Sequence, residues 1–144
     1  METLSIDPQM VDLDELIERG THLHGHLGPF LIAGIRMGLL ALELLDSPGY
    51  FGIEAESETG AVTPLSCLTD GVQIGSGCTL GKGNIQVTDA RRPRVHFSNK
   101  AGQRVTIELR PDIYHGFSDG KLDEQCAVAR QKSLEEMFIW NTSQ

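Results

Sequence analysis

Apolar positions recur every three to four residues in some stretches and every second residue in others, and the switches between these spacings delimit the elements. Leu13, Leu16 and Ile17 have helical spacing within Asp12–Arg19, and Gly20 is placed to close that helix. After Thr21–Gly28, Pro29 opens an apolar run to Leu45, and proline is well tolerated in a first helical turn. The run predicts a buried helix, with Gly34 and Gly38 on one face suited to close packing on a sheet or partner helix. Pro48 and Gly49 mark Asp46–Gly52 as a loop. Residues 53–60 alternate, with Ile53, Ala55 and Ser57 opposed to Glu54, Glu56 and Glu58, which predicts a strand.

Pro64 can start a further helix running to about Ile74, and the four glycines of Gly75–Gly83 predict a loop of special backbone geometry. Asn84–Thr88, Arg94–Ser98 and Gln103–Leu109 read as three strands, the last two joined by a turn at Asn99–Gly102. Pro111–Gly120 reads as irregular. A closing helix is predicted at about 121–141, with the run Leu122–Trp140 turning Val128, Leu134, Met137 and Phe138 inward. The order is helix, helix, strand, helix, three strands, helix: a single α+β domain over residues 1–144, with no internal repeat.

Charge and length narrow the partners. A formal net charge of −8 argues against nucleic acid and anionic lipid, and the one basic cluster, Arg91, Arg92 and Arg94 around Pro93, reads as a solvated turn. No stretch reaches the roughly 18–20 apolar residues of a membrane span. The start of the chain lacks a basic segment followed by an apolar run, so a cytoplasmic location is expected. Three cysteines cannot all pair within one chain, which points to thiols or metal ligands rather than a disulfide framework.

Three groupings carry chemistry. His22, His24 and His26 stand at every second position, and in an extended segment such side chains face one way and can converge on a metal. Cys67 and Cys78 are too far apart for a Cys-x2-Cys knuckle, but Cys67 lies near a predicted helix start, where the dipole favours thiolate, and Cys78 lies in the glycine loop. The loop Gly75–Asn84 fails as a phosphate loop: Ser76 stands where its first glycine belongs, and Gly83 stands where Ser or Thr should follow Lys82. Cys126, among small apolar residues, reads as core, and His96 reads as sheet surface. His115 is a remote candidate to approach the site, and Asp70, one turn after Cys67, is a candidate to orient a ligand.

Taken together, His24-Gly25-His26-Leu27-x-Pro29, Gly34-Ile35-Arg36, Glu58, Cys67-x-x-Asp70-Gly71-Val72-Gln73 and Gly77-Cys78-Thr79-Leu80-Gly81-Lys82-Gly83-Asn84 resemble the FmdE (or FwdE) family, named for a component of formylmethanofuran dehydrogenase. The motifs keep that family's order over roughly residues 20–110. The resemblance implies a β-α-β-β-β core similar to the catalytic domain of glyceraldehyde-3-phosphate dehydrogenase, with added N- and C-terminal helices. It also implies a metal, zinc first with nickel or iron as alternatives, held by His24 or His26 with Cys67 and Cys78. Gly28 stands where relatives often have cysteine, and the Cys-x-x-Cys pairs of their small C-terminal zinc module do not occur in these 144 residues.

The expected function is therefore a metal-binding accessory or redox-associated protein. The alternatives are a free-standing metalloenzyme with an open coordination position, where Lys82 or His22 serves as acid or base, and a structural module stabilised by its metal. No catalytic residue is assigned. His26 is expected to be the leading ligand because it adjoins the buried helix, with His24 second and His22 third. An enzyme-complex partner or a small molecule at the metal is expected, and a homodimer, because the helix Pro29–Leu45 is apolar almost all round.

Overall fold

The helix Pro29–Leu45 (α2) organises the molecule. Thirteen of its 17 residues are buried, and Leu31, Ala33, Ile35 and Met37 have no exposure at all. The structure, a computed structural model, describes residues 2–143. Its other elements are α1 (Leu13–His24), β1 (Ile53–Ser57), α3 (Cys67–Ser76), a single 3-10 turn (Leu80–Lys82), β2 (Ile85–Val87), β3 (Arg94–Asn99), β4 (Arg104–Leu109), α4 (Pro111–Asp119), α5 (Leu122–Gln131), α6 (Leu134–Met137) and β5 (Phe138–Ser143). The five strands lie in the order β2-β1-β3-β4-β5, with β1 and β2 parallel across α3 and every other pair antiparallel. This is the expected α+β domain with its β-α-β-β-β core, extended by a fifth strand.

α2 packs against α3 through interlocked glycines. A Cβ on Gly34 would overlap the carbonyl oxygen of Leu68, and one on Gly71 would overlap that of Leu31. The two backbones thus touch where other helices place side chains, so the partner of the Gly34–Gly38 face is a helix. The apolar circumference of α2 is consumed by α1, α3, α5 and the sheet within one chain. The apolar run of α2 therefore has partners within its own chain, and does not by itself call for a second copy.

Alternation along the strands turns Ile53, Ala55, Val95, Phe97, Val105 and Ile107 into this core. The opposite face carries Glu54, Glu56, His96, Ser98 and Thr106, exposed or half-buried.

Several boundaries differ from those the sequence predicts, β1 ending at Ser57 rather than at 60 among them. α1 does not stop at Gly20, which is buried against Ile35; it runs to His24 and ends at Gly25, whose φ of 85° is the left-handed cap. α3 starts at Cys67 rather than at Pro64. Pro111–Asp119, expected to be irregular, is a helix that buries Ile113 and Phe117, one turn apart, behind Pro111 at its start. The closing helix breaks at Lys132: Ser133 and Glu136 form a reciprocal capping box that starts α6, and the chain then leaves as β5 beside β4. Met137 and Phe138 are fully buried as expected, while Val128 and Leu134 are only partly so.

Candidate functional site

α1 delivers His24 to α3 because Gly20, one helical turn earlier, lets the two helices close on α2. His24 Nδ1 lies 2.6 Å from Asp70 Oδ2. The histidine side chain is 15% exposed and the carboxylate 37%. An ionised Asp70 accepts from Nδ1–H, which fixes the tautomer and leaves the Nε2 lone pair available. Gln73, one turn further along α3, donates its amide to the other Asp70 oxygen at 3.3 Å and accepts from the Leu80 backbone N–H at 3.2 Å.

Behind the pair, Thr69 is clamped between Ser57 and Thr59, each hydroxyl 2.8 Å away, in a buried cluster that ties α3 to the end of β1. In front lies a cleft of about 420 Å³, lined by His24, Asp70, Thr69 and Gln73 together with Leu80, Ile85 and Val87. Leu80 is 81% exposed at its rim. A concave, mainly apolar space with a few converging polar groups is the form of a ligand site.

The other histidines are placed differently. Because α1 continues through this segment, His22 and His24 are about 200° apart around a helix rather than on one face of a strand. His22 and His26 are both exposed. The His26 ring lies 6.4 Å from that of His24, nearly edge-on. His115 is exposed on α4 and does not line the cleft.

The two cysteines stand at opposite ends of α3, a helix of 10 residues, roughly 15 Å long. Cys67 lies three residues before Asp70 on the same helical face. Burial pushes its thiol pKa up, and the Asp70 carboxylate adds to the rise, so the expected thiolate at a helix start is not favoured here. Cys78 is fully buried, its thiol 3.8 Å from the Ile53 carbonyl oxygen, and burial raises its pKa too. Among the described residues, no three His, Cys, Asp or Glu side chains converge as a metal-holding group. The histidine–cysteine–cysteine set implied by the resemblance is therefore not assembled.

The glycine-rich motif is largely satisfied by its own atoms. The Asn84 side chain accepts from Thr79 N–H at 2.9 Å and donates to Tyr50 O at 2.9 Å, while Lys82 Nζ donates to Gly77 O at 2.7 Å and Thr79 Oγ1 at 3.0 Å. Gly77, at φ 78°, lies against the Tyr50 ring, where no side chain fits. Lys82 is thus a brace for this loop and lies outside the cleft.

A second polar cluster is not apparent from the sequence. Glu58, 8% exposed, accepts from Arg94 Nε at 2.6 Å and Nη2 at 2.9 Å and meets His96 Nε2 at 2.5 Å. Thr106 holds the other nitrogen of His96 at 2.7 Å. Arg94 is therefore no free solvated turn residue and His96 no free surface residue. The Arg94 guanidinium, with help from His96, holds the Glu58 carboxyl below its ordinary range. The β1–β3 register, Ser57 opposite Val95, is the signal that would have paired them.

A protein of Archaeoglobus fulgidus, described as a probable S-adenosyl-L-methionine-binding protein, is 34% identical over 84 residues. That match takes in 54% of this chain and only 21% of the relative, so the chain spans about a fifth of the relative's length. The crystal structure of an FmdE-like protein of the tungsten formylmethanofuran dehydrogenase type, from Syntrophus aciditrophicus, superposes with a TM-score of 0.70 over 98% of this chain and 77% of that one. At 21% identity this likeness shows a common fold. No helix among the described residues is long and apolar enough to cross a membrane. The model of the FmdE family, described as molybdenum formylmethanofuran dehydrogenase operon, matches residues 23–142, a span that holds the His24–Asp70 pair, the cleft, Cys67 and Cys78, and the chain belongs to that family.

Proposed function

We propose that this FmdE-family chain is a ligand-binding protein whose working centre is the His24–Asp70 pair at the cleft between α3 and β2. The observation that carries the reading is the 2.6 Å contact between Nδ1 and the carboxylate at the wall of an apolar cleft. A carboxylate behind an imidazole fixes ring and tautomer, and presents Nε2 as an acceptor for a ligand N–H or O–H. The apolar lining supplies contact area for an organic body. The name of the Archaeoglobus relative offers S-adenosylmethionine as the first probe. In titrations followed by amide and histidine-ring NMR signals, it should shift His24, Thr69, Gln73 and Leu80, and His24→Ala should remove the response. If neither S-adenosylmethionine nor a set of neutral and cationic fragments moves those signals, the reading fails.

The same hydrogen bond supports a second reading, an accessory protein that carries a transition metal, zinc first and nickel or iron next. Metal-ligating histidines almost always donate their other ring N–H to such an acceptor. His24 fits that role, with His26 beside it and Cys67 one turn before Asp70 on α3. Cys78, buried at the far end of that helix, does not. A bound metal would supply Lewis acidity or an anchor for a small molecule. Metal analysis and chelator competition separate this reading from the first, because S-adenosylmethionine binding that survives exhaustive chelation needs no metal.

A further inference from the structure

We propose that the cleft selects ligands by charge, accepting cationic or neutral molecules with an apolar body and rejecting anions. The inference rests on reading the cleft as a ligand site and goes further by naming the class of ligand. Among the described residues, Asp70 is the only formally charged side chain in its lining, which holds no lysine or arginine. The guanidinium of Arg91, beside Gly60 at the cleft margin, is tied to Asp89 at 2.6 Å, so that pair adds no net charge. The remaining polar groups in the lining are hydroxyls, amides and the His24 imidazole. A phosphate or carboxylate placed here would leave water for a cavity with no cation to receive it, beside a carboxylate and within a chain of net charge −8. A cavity of comparable size on the far side of the 3-10 turn makes the contrast, because its lining holds two lysines, Lys82 and Lys100, against one carboxylate, Glu54.

The test holds the apolar body constant and changes the charge: benzylamine, benzyl alcohol and benzoate are titrated at neutral pH with a chelator present, and binding is read from signals of residues 24, 69, 73 and 80. Benzylamine should bind at least about fivefold tighter than benzoate, the scale of a solvent-screened contact between unit charges, with the alcohol between. Asp70→Asn should level the series. Leu80→Lys, at an exposed rim position that leaves its backbone bond to Gln73 intact, should bring benzoate to the front. Benzoate binding as tightly as benzylamine to the unaltered protein overturns the charge proposal while leaving the ligand site standing. If all three compounds leave the cleft signals still, the ligand site itself falls.

Discussion

His24 and Asp70 are 46 residues apart in the chain and 2.6 Å apart in space, joined by the packing of α1 on α3. Asp70 stands as the candidate to orient a ligand, and the histidine it holds is His24 rather than the exposed His26. Burial and the carboxylate, more than proximity to α2, single out this imidazole.

Zinc binding should therefore depend on His24 more than on its neighbours. His24→Ala is expected to lower zinc affinity at least about tenfold, or 1.4 kcal/mol. His26→Ala should do less and Cys78→Ser nothing. Competition with a chromophoric chelator measures all three. Equal losses for His24→Ala and Cys78→Ser would mean that the two ends of α3 share an ion, contrary to their separation along the helix.

Gly34→Ala tests the α2–α3 contact. The added methyl has no space beside the Leu68 carbonyl, so the helices must separate, and stability should fall by about 3 kcal/mol, the upper end of ordinary overpacking. Gly81→Ala, where an added Cβ meets nothing within 4 Å, is the control. Urea unfolding reads both, and a Gly34→Ala midpoint like that of the control would refute the close approach.

Acid should weaken the protein partly through Glu58. Its folded pKa lies below the unfolded one, so its contribution is fully present above the ordinary carboxylate range, about 4.3, and is lost as pH falls through the folded value. Glu58→Gln should flatten that acid limb and cost about 1–3 kcal/mol at pH 7 by removing the negative charge and one of the two acceptor oxygens that Arg94 and His96 share. Urea midpoints between pH 7 and pH 3 supply the comparison. A variant that keeps the full acid dependence would place its origin elsewhere.

Phe138 anchors β5, fully buried opposite Leu109. Phe138→Ala should cost about 3–5 kcal/mol, whereas Ser133→Ala, which removes only the capping box, should cost about 1 kcal/mol. Thermal melts that ranked the two the other way would argue that β5 is marginal to the core.

Much was already decided by local pattern. The span of α2 follows from Pro29 and an unbroken apolar run, β1 from alternation, and β3 and β4 from paired alternating runs around Asn99–Gly102, because each depends on residues a few positions apart. Family membership was legible in the same way, in short motifs kept in order. The closing strand was not: Phe138–Ile139–Trp140 is as apolar as a helix end, and only a free edge of β4 makes it a strand. Ser133 and Glu136 carried the break in plain view. The site depended most on tertiary structure. Spacing suggested that three histidines face one way, and the family resemblance implied that two cysteines share a metal, but the extension of α1 to Gly25 turns His22 aside, and α3 lies between Cys67 and Cys78. Which imidazole meets which carboxylate is set by how closely α1, α2 and α3 approach, and that distance is decided by glycines whose missing side chains matter only once the helices are packed.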